Sequence, residues 1–122
     1  MPGSPYPQAE IRKILDRAIQ QQETESALSW AKGLKKVGLD QALDITLLLA
    51  HDDDPRYPKA ARRFLARFIV EVEPKLLQLK KVVDAMDCVE RVRYFPDITD
   101  EANRALEDLA RQLRRRGDAR DR

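Results

Sequence analysis

The run His51, Asp52, Asp53 and Asp54 is the one stretch whose residue types suggest metal or acid–base chemistry. Imidazole and carboxylate groups together suit divalent cations. His51 is the only histidine in the chain, however, and a metal-assisted hydrolase would need further ligands, such as Asp40 or Asp44, brought in by folding. We expect no metal and no cofactor, with a helix ending at His51 and aspartates capping the next helix. His51, Asp52 and Asp53 remain the weak metal candidates of the second alternative function, a metal-dependent hydrolase.

Basic residues form the second group with potential chemistry. Arg56, Lys59, Arg63 and Arg67 recur every three or four residues, so they line one side of a predicted helix. Arg114 and Arg115 belong to a basic cluster at the end of the last predicted helix. Such strips can contact phosphates, although a net charge of +2 is too small to imply nucleic-acid binding by itself. A nucleic-acid-associated regulatory module is therefore the first alternative, and a solvated charged face is the simpler explanation of the strip.

Apolar side chains at the margins of the predicted helices favour a binding function over catalysis. Ile69 and Leu77 lie away from the centres of their apolar stripes, and Tyr94 and Phe95 precede Pro96 in a predicted loop. Large apolar and aromatic residues dominate protein interfaces. We therefore predict a non-catalytic protein–protein interaction module, with a protein partner or a second copy of the chain bound at these residues.

The elements that must position these residues are helices. The segment ALDITLLLA, residues 42–50, is apolar on nearly every side and predicts a central buried helix near residues 40–51. Amphipathic periodicity on both sides of it predicts an all-α fold, a compact bundle of five to six helices. A short HEAT-like or tetratricopeptide-like stack of helical hairpins is the alternative topology.

Proline, glycine and loss of periodicity set the predicted boundaries. Residues 1–7 are expected to be a disordered arm, residues 8–116 a single helical domain, and residues 117–122 a frayed tail after Gly117. Pro74 should break the chain between the fourth and fifth helices. The segment VERVRYFPD, residues 89–97, is predicted to be a loop.

The stretch ALDITLLLAHDDDPRYPKAARRFLARFIVE resembles small uncharacterised all-helical proteins of high-GC bacteria. The resemblance covers about a quarter of the chain and implies no activity. A single cysteine, no N-terminal signal pattern and no apolar run of about 20 residues predict a soluble, cytoplasmic protein that does not bind membranes.

Overall fold

The computed structural model describes the backbone of residues 6–91 and 96–120 and the side chains of residues 6–90 and 100–116. Within these ranges the chain forms six α-helices and no β-strand. They are α1 (Gln8–Gln20), α2 (Thr24–Ala31), α3 (Leu39–His51), α4 (Tyr57–Val72), α5 (Leu76–Arg91) and α6 (Pro96–Arg120). The predicted all-α class is confirmed.

Helix α3 lies at the centre of the bundle. It packs against α1, α2, α4 and α6, whereas α5 packs mainly against α4 and α6. The contact between α3 and α6 joins helices that are distant in sequence and closes the bundle around α3. The predicted compact all-α bundle is confirmed.

The apolar character of α3 is matched by its burial. No residue from position 39 to position 50 is exposed, and Leu43 is completely enclosed. The buried polar side chains of α3 have partners: Thr46 donates to the carbonyl of Ala42, and Gln41 donates to Oδ1 of Asp16 on α1. Around α3 the core is completed by side chains from five helices, the largest being Phe64, Phe68, Ile11, Leu15 and Leu106. A helix that is apolar all round is stable only with such cover.

Three turns contain a residue other than glycine in the left-handed region. Gln22, Asp53 and Glu73 have φ values of 57°, 54° and 52° and follow α1, α3 and α4. After α1 the amide of residue 23 donates to the carbonyl of residue 18, and after α3 the amide of residue 54 donates to that of residue 49. These bonds close the helix ends as Schellman motifs do. Pro74 follows Glu73 and separates α4 from α5, as predicted.

Several predicted boundaries were wrong. Residues 89–91 and 96–97, expected in a loop, belong to α5 and α6, because Val89 continues the buried stripe of Val82, Ala85 and Met86. A proline is also tolerated in a first helical turn, so Pro96 begins α6. Helix α6 continues through Gly117 to Arg120, since a glycine weakens a helix without ending it. Residues 121–122 lie outside the described residues.

Two tyrosines connect separate segments of the bundle. The Tyr57 hydroxyl of α4 is buried and donates to the carbonyl of Met86 on α5 at 2.9 Å. Tyr6, in the segment expected to be disordered, packs edge-on against Trp30 with ring centroids 5.6 Å apart. Residues 1–5 of that segment lie outside the described residues. No helix in the described ranges combines the length and apolar character needed to cross a bilayer.

Candidate functional site

Exposed apolar side chains lie on the last turn of α4 and on the first half of α5. We call this group the corner patch; its members are Ile69, Val70, Leu76, Leu77 and Val83. Among the described side chains, only Tyr6 joins them as a large exposed hydrophobic residue. Leu76 is 82% exposed, Val70 75% and Leu77 66%, so these side chains add little to the monomer core. A concentration of this kind is typical of a binding surface.

The sequence named Ile69 and Leu77 as partner-binding candidates, and both lie in the corner patch. Tyr94 and Phe95, the other two candidates, lie outside the described residues. Val70 and Val83 were not predicted from the sequence. The helical spacing of Val83 did not reveal its exposure, because Val83 falls one turn from Leu79, which packs against the core.

The charges beside the corner patch are divided along α5. Lys80 and Lys81 lie in its first half, and Asp84 and Asp87 follow in its second half; all four side chains are exposed. Lys80 Nζ lies 3.2 Å from Asp84 Oδ2, one turn away. The exposed side of α5 is therefore basic towards its start and acidic towards its end.

The predicted basic strip of α4 does not form one free surface. Arg56 donates to Glu25 and to Asp54 at 2.6 and 2.7 Å, and Arg67 donates to Glu71 at 2.7 Å. Lys59 and Arg63 are exposed, with no carboxylate of the described residues within 4 Å. The strip therefore contributes two unpaired cations instead of four, which weakens its case as a nucleic-acid interface.

The hydrogen bonds of Arg56 also lower the pKa of Asp54. Hydrogen bonds from the Arg56 side chain, and then from its backbone amide, lower the pKa of Asp54 from 3.8 to about 2. The amide donates to Asp54 Oδ1 at 2.9 Å just before α4 begins. Asp54 is thus a structural group just before α4, but the predicted cap was wrong: Arg56 is the N-cap residue and α4 has no side-chain cap hydrogen bond.

Of the two predicted arginines of α6, Arg114 has an ion-pair partner on α3. Arg114 Nη2 lies 2.9 Å from Asp44 Oδ2, which ties α6 to α3, and Arg115 is exposed. Burial raises the pKa of Asp44, and the charge and hydrogen bond of Arg114 only partly offset this effect. Asp44 is therefore occupied as a structural partner of Arg114.

The acidic run after α3 has structural contacts as well. His51 is exposed at the last position of α3, and Asp52 Oδ2 accepts a hydrogen bond from Thr24 at 2.5 Å. In the part of the chain that the structure describes, no group of three or more histidine, cysteine or acidic side chains could hold a metal ion. Neither Asp40 nor Asp44 joins His51, Asp52 and Asp53 in such a group.

A cleft of about 380 Å³, which was not predicted from the sequence, opens between α1, α3, α4 and α6. We call it the basic cleft. It is lined by five cations and three carboxylates, together with the first residues of α3. The cations are Arg12, Lys36, Arg67, Arg114 and Arg116, and the carboxylates are Asp16, Asp40 and Glu71. Their positions are scattered over the whole sequence, so no local pattern could have indicated the cleft.

Comparison with known proteins found no matching family model, no similar curated protein and no similar solved structure.

Proposed function

We propose that the chain is a non-catalytic helical interaction module that associates with a second copy of itself through the corner patch. The observation that carries this proposal is the exposure of five aliphatic side chains on the last turn of α4 and the first half of α5. Covering such side chains removes apolar area from water, which is the main favourable contribution to most protein associations. A symmetric dimer would use the same patch on both copies.

The charges of α5 favour a second copy as the partner. If two α5 helices meet in antiparallel orientation, Lys80 and Lys81 of each copy approach Asp84 and Asp87 of the other. A parallel orientation would bring like charges together, which costs free energy. A two-fold axis perpendicular to α5 produces this antiparallel orientation.

The first experiment measures the mass of the chain by sedimentation equilibrium over a wide concentration range. We expect a transition from 14.1 kDa to twice that mass. Leu76→Ser/Leu77→Ser should abolish the dimer and leave the helical content unchanged, because both side chains are exposed. The matched control Arg62→Ser/Arg63→Ser alters two exposed positions of α4 and should still dimerise. A monomer at every concentration would overturn the proposal.

The second experiment tests the orientation by charge reversal. Lys80→Glu/Lys81→Glu makes the exposed side of α5 uniformly acidic, and Asp84→Lys/Asp87→Lys makes it basic. Each variant alone should dimerise poorly, an equimolar mixture should form a heterodimer, and all four changes in one chain should restore the homodimer. Dimerisation that ignores these changes would exclude the antiparallel α5 interface.

A further inference from the structure

We infer that the basic cleft binds a small molecule carrying a phosphate group. This site is separate from the proposed dimer surface and does not depend on it. Five cations from four parts of the chain line one concavity, with Arg12 from α1, Lys36 from the α2–α3 connection, Arg67 from α4, and Arg114 and Arg116 from α6. Guanidinium groups match phosphate oxygens in both charge and geometry.

The cations of the cleft are not fully compensated by its carboxylates. Glu71 is shared between Arg67 at 2.7 Å and Lys36 at 3.9 Å. No carboxylate of the described residues lies within ion-pair distance of Arg12 or Arg116, and both side chains are exposed. Two guanidinium groups are therefore available to an anion without breaking an ion pair between described residues.

One nitrogen of Arg67 adds to this imbalance. Arg67 Nε donates to Glu71, but its Nη2 atom is enclosed and has no hydrogen-bond partner among the described residues. A buried charged donor without an acceptor is costly. A small side-chain rotation that turned this nitrogen towards an anion in the cleft would relieve that cost.

The start of α3 supplies backbone donors at the same place. The cleft is lined by Gly38, Leu39, Asp40 and Gln41. Gly38 is the N-cap residue of α3, and it has no side chain that could accept hydrogen bonds from the amides of the first turn. The Gly38 amide itself donates to Gln41 Oε1 at 3.2 Å. The first amides of a helix are oriented for an anion, and they act here in addition to the arginines.

The carboxylates of the cleft indicate the rest of the ligand. Asp16 and Asp40 repel an extended polyanion, but they can accept hydrogen bonds from hydroxyl groups. A volume of about 380 Å³ is much larger than a phosphate ion and falls at the small end of metabolite pockets. The chemistry therefore matches a phosphate monoester with a hydroxylated organic part and disfavours a nucleic-acid strand.

The test is a titration followed by amide NMR at constant ionic strength, with inorganic phosphate and glycerol 3-phosphate as the probes. We expect saturable shifts at residues 38–41, with the ester binding more tightly than inorganic phosphate. Arg12→Gln/Arg116→Gln should weaken binding of both probes by more than about tenfold. Both arginines are exposed, so this variant should fold normally, which circular dichroism checks.

The matched control is Arg62→Gln/Arg63→Gln, which removes the same charge from exposed positions outside the cleft. It should change either affinity by less than about twofold, because screened charges at a distance contribute little. Equal losses in both variants would show nonspecific attraction to a basic surface and overturn the inference. Shifts that never saturate would overturn it too. The dimer proposal is unaffected by either result, since its variants lie on α5.

Discussion

Helices α3 and α5 are both rich in aliphatic residues, but they differ in how much of that apolar surface is buried. Four helices surround α3 and leave none of its residues from 39 to 50 exposed, whereas α5 packs mainly against two and leaves Leu76, Leu77 and Val83 in solvent. Apolar content alone therefore does not determine burial. The number of neighbouring helices decides it, and the monomer provides too few for α5.

The largest difference in stability is expected when one leucine of each helix is shortened to alanine. Leu43→Ala on α3 should lower the free energy of unfolding by about 2–5 kcal/mol, because it leaves a cavity in the core. Leu76→Ala on α5 should lower it by less than about 0.5 kcal/mol at concentrations where the chain is monomeric. Urea unfolding followed by circular dichroism measures both. Similar losses would mean that Leu76 is covered in the monomer.

The next largest effect on stability is expected from the hydrogen bond that joins α4 to α5. Tyr57→Phe removes the buried hydrogen bond to the Met86 carbonyl and should cost about 1–2 kcal/mol. Burial, with smaller contributions from Glu90 and Asp87, raises the pKa of Tyr57. The folded state thus holds the phenol proton more tightly, and this contribution to stability falls as the pH rises above about 10, where unfolded tyrosine ionises.

The difference between wild type and Tyr57→Phe should therefore narrow at alkaline pH, measured by urea unfolding from pH 8 upward. Tyr6→Phe is the control, because that ring is partly exposed and its hydroxyl has no hydrogen-bond partner among the described residues. A constant difference over the whole range would contradict a raised pKa at Tyr57.

A smaller effect is expected at the entrance to α4. The pKa of Asp54 is about 2 in the folded chain instead of 3.8, so the ionised form is favoured by folding. Its contribution is complete above about pH 4 and is lost as the pH falls towards 2. Asp54→Asn should be less stable than wild type at pH 6, and the two should converge near pH 2. Thermal unfolding at pH 6, 4, 3 and 2 tests this, and a difference that persists at pH 2 would exclude it.

The smallest effect concerns the tie between α3 and α6. Arg114→Ala should lower stability by less than about 0.5 kcal/mol, because the arginine is 54% exposed. Asp44→Asn should leave stability at pH 7 equal to wild type or higher, because burial raises the pKa of Asp44 despite Arg114. Its neutral form is then the one that folding favours. Urea unfolding measures both variants. A larger loss of stability for Asp44→Asn than for Arg114→Ala would contradict the claim that folding favours the neutral form of Asp44.

The helices of this chain were predictable because periodicity is a local property. The central position of α3 followed from its lack of a polar side, and the break at Pro74 followed from the geometry of proline. The boundary between α5 and α6 was less predictable. Burial of Val89 extends α5 past the point where the sequence pattern weakens, and such tertiary effects override local preference.

The corner patch and the basic cleft also differ in how far they could be predicted from the sequence. Exposure of Ile69 and Leu77 could be predicted from their places on a helical wheel. The basic cleft could not, because Arg12, Lys36 and Arg116 become neighbours only when α1, α3, α4 and α6 pack together. Arg67 shows the limit for a single residue: its spacing predicted a solvent-facing strip, but contact with Glu71 and the cleft wall partly buries it.

The left-handed turn after α1 offers a route to a more heat-tolerant protein. Gln22 carries a side chain at φ 57°, a backbone conformation that glycine adopts without steric conflict. Gln22 is exposed, and it is neither a member of the corner patch nor a lining residue of the basic cleft. Glycine at this position would provide a reinforced scaffold on which both surfaces can be varied freely.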